Sequence, residues 1–111
     1  MEGCLLFPGF IDAHTHFDLD VCNTTTADDF TTGSRAALKG GTTTVIDFAC
    51  PNKGESLQYG LDLWHKKADG RTFCDYGFHM TILKEDTPWR NISGSSARMD
   101  SFQSSMVMWK P

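Results

Sequence analysis

The stretch Gly9-Phe10-Ile11-Asp12-Ala13-His14-Thr15-His16 decides how this chain is read. It ends a short apolar run, Leu5-Leu6-Phe7-Pro8-Gly9-Phe10-Ile11, which has a buried-strand pattern with a Pro-Gly turn inside it. Alternate side chains of a strand share a face, so His14 and His16 are expected to project into the same space. Neutral imidazole is a common ligand of zinc and similar ions, and two on one side supply half of a tetrahedral set. A bare His-x-His also arises by chance, and two hydrogen-bonded surface histidines are the competing reading. Context favours the metal. The next residues, Phe17-Asp18-Leu19-Asp20-Val21, mix apolar and acidic types without helical period. They read as a loop, and loops at strand ends are where sites are built.

Outward from this stretch, strands and helices alternate. The first strand is expected over about Leu5 to His16, with a loop through Thr26. A first helix opens near Thr26-Ala27-Asp28-Asp29, where Thr26 and Asp29 resemble a capping box, and carries Ala27, Phe30, Ala37 and Leu38 on its apolar face, with the small Gly33 and Ser34 between them. Gly40-Gly41 ends it. Thr42-Thr43-Thr44-Val45-Ile46-Asp47-Phe48-Ala49 is β-branched and nearly continuous in character, as buried parallel strands are. A second helix spans about Ser56 to Ala68, with Leu57, Leu61, Trp64 and Ala68 at helical spacing, and a third strand covers about Phe73 to Ile82.

This β-α-β-α-β order with short connections argues for parallel strands and right-handed crossovers. An open doubly wound sheet and part of a (β/α) barrel both fit. No Gly-x-Gly-x-x-Gly follows the first strand, so the dinucleotide-binding version lacks support. Barrel sites lie at the C-terminal ends of strands, where His14, His16, Asp47 and His79 all fall, and this favours the barrel. The fold class is therefore α/β: a partial (β/α)8 TIM barrel with about three βα units. A whole barrel takes about 250 residues. The 111 residues here are expected to be a fragment cut at both ends. Residues 1–80 would hold the first βαβαβ part, and 81–111 a divergent or misread tail.

Composition narrows the partners. The net charge of −4 comes from interspersed acids and bases, and no basic patch marks a nucleic-acid partner. No apolar run reaches the ~18 residues of a membrane span. The N-terminus lacks the pattern of a signal peptide, which points to the cytoplasm. Cys4, Cys22, Cys50 and Cys74 form no C-x-x-C pair and are expected as free, largely buried thiols. A nucleophilic role for Cys22 or Cys50 is the minor alternative.

Taken together, these stretches resemble the hydantoinase/dihydropyrimidinase branch of the cyclic amidohydrolases. The resemblance is carried by residues 6–19, by Thr26-Ala27-Asp28-Asp29-Phe30, by 40–49, by Lys53-Gly54-Glu55-Ser56-Leu57, by Trp64-His65-Lys66-Lys67-Ala68-Asp69-Gly70 and by Asp75-Tyr76-Gly77-Phe78-His79-Met80. It covers about Leu5 to Thr81. It implies a binuclear zinc site, or one for other divalent metals, in a (β/α)8 barrel. A bridging hydroxide there would open a small-molecule cyclic amide, a hydantoin or dihydropyrimidine, to an N-carbamoyl amino acid. His14 and His16 would match the pair holding the more buried metal. Phe17 and Leu19 would belong to the loop that shapes the substrate pocket. The parent would be a homotetramer.

The resemblance stops after Met80. The family's bridging carboxylated lysine follows Ser-Phe, but here Ser101-Phe102 is followed by Gln103, and Lys110 resembles a second family lysine downstream. Gln103 cannot be carboxylated. Either the tail is misread, frameshifted or spliced differently, or the site is degraded. The later catalytic residues lie beyond Pro111. The alternative function is a non-catalytic, dihydropyrimidinase-like scaffold akin to the collapsin response mediator proteins, or a pseudoenzyme. Among the remaining residues, Asp12 and Asp47 are candidates to support the ligands, with a structural role preferred for Asp47. His79 reads as a pocket or core histidine, His65 as solvated and Trp64 as core.

Overall fold

A computed structural model of the chain describes residues 3–21 and 23–82 and, as a strand, Ser105–Met108. In chain order the elements are β1 (Phe10–Thr15), β2 (Asp20–Val21), β3 (Thr24–Thr25), α1 (Phe30–Lys39), β4 (Thr42–Ala49), α2 (Leu57–Ala68), β5 (Asp75–Thr81) and β6 (Ser105–Met108). The main sheet runs β1-β4-β5-β6, with β1, β4 and β5 parallel and β6 antiparallel on β5. The expected α/β class with a parallel sheet is what the chain adopts. Among the described residues two helices each follow a parallel strand.

The β-branched run forms β4, the strand with a parallel partner on each side. Its alternation sorts the sheet into two faces. Val45 and Ala49 are buried on one face with Phe78 and Met80 of β5, and α2 covers them with Leu57, Leu61, Trp64 and Ala68. This is the helical spacing read from the sequence. Ser56 caps α2 by accepting from the Tyr59 amide. The opposite face carries Ile46, Phe48 and His79, each only half-buried.

Several sequence expectations are corrected. β1 begins at Phe10 rather than Leu5, and Leu5, Leu6, Phe7, Phe10 and Ile11 are exposed. Of the residues expected as a buried strand, Phe10 and Ile11 open the edge strand of the sheet, and Leu5, Leu6 and Phe7 precede it. The cap of α1 is Asp29, not Thr26: the Asp29 carboxylate accepts from the Thr32 amide, and the Thr32 hydroxyl accepts from the Asp29 amide. On α1, Phe30, Gly33 and Ser34 are buried on the expected face, but Ala27 and Leu38 are exposed. Gly33 is required there because a Cβ would lie 2.3 Å from the Phe17 ring, which packs edge-on against Phe30. The expected loop after β1 holds the β2–β3 hairpin, with Asn23 at φ 60 in the turn. Gln103 and Cys22 lie outside the described residues.

The register of β1 on β4 is irregular. Asp12 pairs with Val45 and Thr15 with Asp47, so three steps along β1 match two along β4. One extra residue is accommodated at Ala13–His14, a bulge of the kind that re-aims side chains beside functional sites.

Candidate metal centre

His14 and His16 flank Thr15 at the C-terminal end of β1 and share the open face of the sheet. Their Nε2 atoms stand 3.2 Å apart, with the ring planes at 81°. Two nitrogens at zinc-ligand distance in a tetrahedral set lie about 3.3–3.4 Å apart. The pair thus fits two adjacent vertices around one ion. Among the described residues, no group of three or more His, Cys, Asp and Glu side chains converges as a metal cluster. One ion on two imidazoles fits this arrangement; a binuclear set does not arise from the described residues.

Phe48, from β4, backs both imidazoles, with centroids 4.5 Å from His14 and 5.1 Å from His16. On its other side it stacks on His79 at 4.8 Å. His79 reaches past Phe48 to the Ala13 carbonyl, 3.0 Å from its Nε2. A carbonyl only accepts, so Nε2 is the donor. Asp12 holds the same turn of chain by accepting from the His14 amide at 3.1 Å. It supports the ligand backbone rather than an imidazole.

Asp47 falls at a strand end as expected but faces away from the imidazoles, fully buried under α2. Its Oδ2 accepts from the Thr15 hydroxyl at 2.9 Å and the Phe17 amide at 2.8 Å, and its Oδ1 accepts from Trp64 Nε1 at 3.1 Å. Burial pushes its carboxyl above the ordinary 3.8, against the pull of these donors. The alternation of β4, with Val45 and Ala49 inside, is the sequence signal that could have placed Asp47 on this face. Nothing in the sequence marks its three donors, which come from three separate segments.

The loop after β1 is pinned to the helix layer. Phe17 and Leu19 pack against the buried cluster. The Leu19 amide donates to the Thr26 hydroxyl, and Lys67 donates to the Asp18 carbonyl from a position over the Trp64 ring. His65 is not solvated: it is half-buried, with its ring edge-on to Phe78 at 5.1 Å. Cys50 sits 3.1 Å from the Thr81 hydroxyl, and burial raises its thiol pKa, which disfavours the thiolate a nucleophile needs.

Comparisons with known proteins place the chain in a family. A family model described as "Amidohydrolase family" matches residues 5–85. D-hydantoinase of Geobacillus stearothermophilus is 54% identical over 80 residues, which are 72% of this chain and 17% of that protein. Dihydropyrimidinase of Dictyostelium discoideum is 50% identical over 78 residues, 70% of this chain and 16% of that protein. A crystal structure of D-hydantoinase superposes with a TM-score of 0.68 at 52% identity, covering 71% of this chain and 17% of that one. D-hydantoinase (dihydropyrimidinase) from Thermus sp. gives 0.68 at 49% identity over 72% of this chain and 18% of that one. The chain thus spans under a fifth of the relatives it matches, and within that span it belongs to the amidohydrolase family.

Proposed function

We propose that this chain carries the first metal-ligand pair of a cyclic amidohydrolase of the hydantoinase/dihydropyrimidinase type. Its substrates would be hydantoins and dihydropyrimidines, opened at a ring C–N bond to N-carbamoyl amino acids. The observation that carries the reading is the pair of imidazole nitrogens, 3.2 Å apart, at a parallel strand's C-terminal end in a segment 54% identical to a D-hydantoinase. In this reading residues 1–80 are the opening part of a (β/α)8 barrel, and 81–111 are a tail that forms no domain of its own.

His14 and His16 would hold the ion as neutral imidazoles. A bound zinc ion supplies an activated water and polarises the amide carbonyl. Phe48 excludes water from one side of the pair and fixes the ring planes. Phe17 and Leu19 anchor the segment that leads into the Asp20–Thr25 hairpin, and the hairpin is the part free to meet a ring substituent. Gln103 in place of a bridging lysine supports a chain that is inactive alone. It also favours the second reading, a non-catalytic dihydropyrimidinase-like scaffold. The compartment would be the cytoplasm, where unpaired cysteines stay reduced, and the assembled parent a homotetramer.

The test is a graft. Residues 5–82 replace the matching segment of the Geobacillus stearothermophilus D-hydantoinase, and opening of hydantoin and dihydrouracil is followed with zinc present. Ring opening that disappears with His16→Ala supports the reading. A folded, zinc-loaded graft that opens neither ring would overturn it in favour of the scaffold. For the chain itself, a zinc titration should give one equivalent bound; two tight equivalents would contradict the reading of these 111 residues as inactive alone.

A further inference from the structure

The two histidines are held by different means. His14 lies inside β1, its amide bonded to Asp12 and its preceding carbonyl to His79. His16 lies just past the end of β1, where pairing with β4 stops at Thr15. No ladder bond reaches it. Its two chain neighbours, Thr15 and Phe17, both donate to one oxygen of Asp47 on the far face of the sheet.

We infer that Asp47 is a positioning residue for His16, aiming an imidazole that it does not touch. The inference rests on the metal-pair reading above. A two-point hold on either side of His16 restricts both the shift and the twist of its backbone. Metal constellations tolerate only about 0.5 Å and 10–20° of error, so a ligand beyond the ladder needs such a hold. The carboxylate is itself oriented, because Trp64 of α2 donates to its other oxygen. The chemistry requires an acceptor at both oxygens. An asparagine offers one acceptor and one NH2, so one of the two sides would meet a donor facing a donor. The carboxylate also forms stronger, charge-assisted bonds than an amide would. Asp47 thereby ties the second helix to one ligand of the pair and leaves the other ligand to separate supports.

The experiment uses the full chain, isotopically labelled, at fixed pH and without metal. In Asp47→Leu, which removes both acceptor oxygens at similar size, the Phe17 amide should lose its exchange protection and the His16 imidazole signals should shift and broaden more than those of His14. Zinc affinity, measured by chelator competition, should fall about 10–100-fold, as for other residues that orient ligands. Trp64→Phe keeps both bonds to Oδ2, so it should lower stability and leave His16 as in the parent. If Asp47→Leu does not fold, Thr15→Val removes one hold with little change of shape and should give a smaller loss of zinc affinity with Phe17 still protected. Asp47→Leu or Thr15→Val with parental His16 signals and zinc affinity would overturn the proposal. So would equal disturbance of His14 and His16. A parental chain that binds no zinc would sink the metal reading, while the contrast between His14 and His16 would still decide the role of Asp47.

Discussion

The two faces of the sheet are built to different rules. On the helix side, Val45, Ala49, Phe78 and Met80 are almost wholly buried, and the polar groups there, Asp47 and Ser34, have named partners. On the open side, Phe48 and His79 are half-buried, and His14 and His16 are exposed. Burial therefore holds one face and makes it intolerant of change, whereas ring contacts and single hydrogen bonds organise the other. The two faces meet through Asp47 and Thr15, so the exposed pair takes its alignment from the side where packing is strongest.

Neighbours on β5 can break this contrast most directly. Phe78 faces the helices and His79 the open side. Phe78→Ala should cost about 3–5 kcal/mol in urea unfolding, as truncation of a buried aromatic does. His79→Ala should cost about 1 kcal/mol, the worth of its bond to Ala13. Equal costs would mean that the open face is packed as tightly as the covered one. Next is Gly33→Ala. In an exposed helix that change gains up to about 1 kcal/mol. Here the new methyl meets the Phe17 ring, and a loss of about 1–3 kcal/mol in thermal unfolding is expected. A net gain would show that the loop after β1 yields easily.

On the open face, zinc at tenfold its dissociation constant should stabilise the chain by about 1.4 kcal/mol. Chelator should reverse the gain, and His14→Ala with His16→Ala should abolish it in calorimetry. The smallest effect is a pH dependence on the covered side. Tyr76 donates to Asp69, and burial together with that carboxylate pushes its pKa from 10.0 to about 12. The folded value is raised, so the stability from this group is complete below pH 10 and lost as pH rises through 12. Ultraviolet titration should show a late phenol in the parent that moves earlier in Asp69→Asn.

The covered face was the legible one. The period of Leu57, Leu61, Trp64 and Ala68 and the β-branched run of β4 were enough to place α2 on the sheet, because both patterns report burial directly. Legibility fell where burial came from shape. Gly33 of α1 is inside because Phe17 lies over the helix there, and Ser34 is buried with its hydroxyl donating to the Phe30 carbonyl and accepting from the Phe73 amide, while Leu38, an obvious apolar choice, is 41% exposed. The i, i+2 spacing placed His14 and His16 together correctly. Their supports were not readable: Asp47 is met by donors from three segments, and His79 reaches β1 across an intervening strand.

The bulge at Ala13–His14 has a consequence for how this strand can change over time. Side chains alternate, so the face on which the imidazole pair emerges is settled by counting residues, not by their identity. Substitution at Phe10, Ile11 or Ala13 keeps the count, and an exposed edge tolerates it. Deleting the one extra residue at Ala13–His14 would leave Asp12 on Val45 and Thr15 on Asp47 in a regular ladder, and what it would remove is the local bend that brings the Ala13 carbonyl to His79. The bulge is thus the point in β1 where a change of length by one can be taken up without turning the pair to the other face.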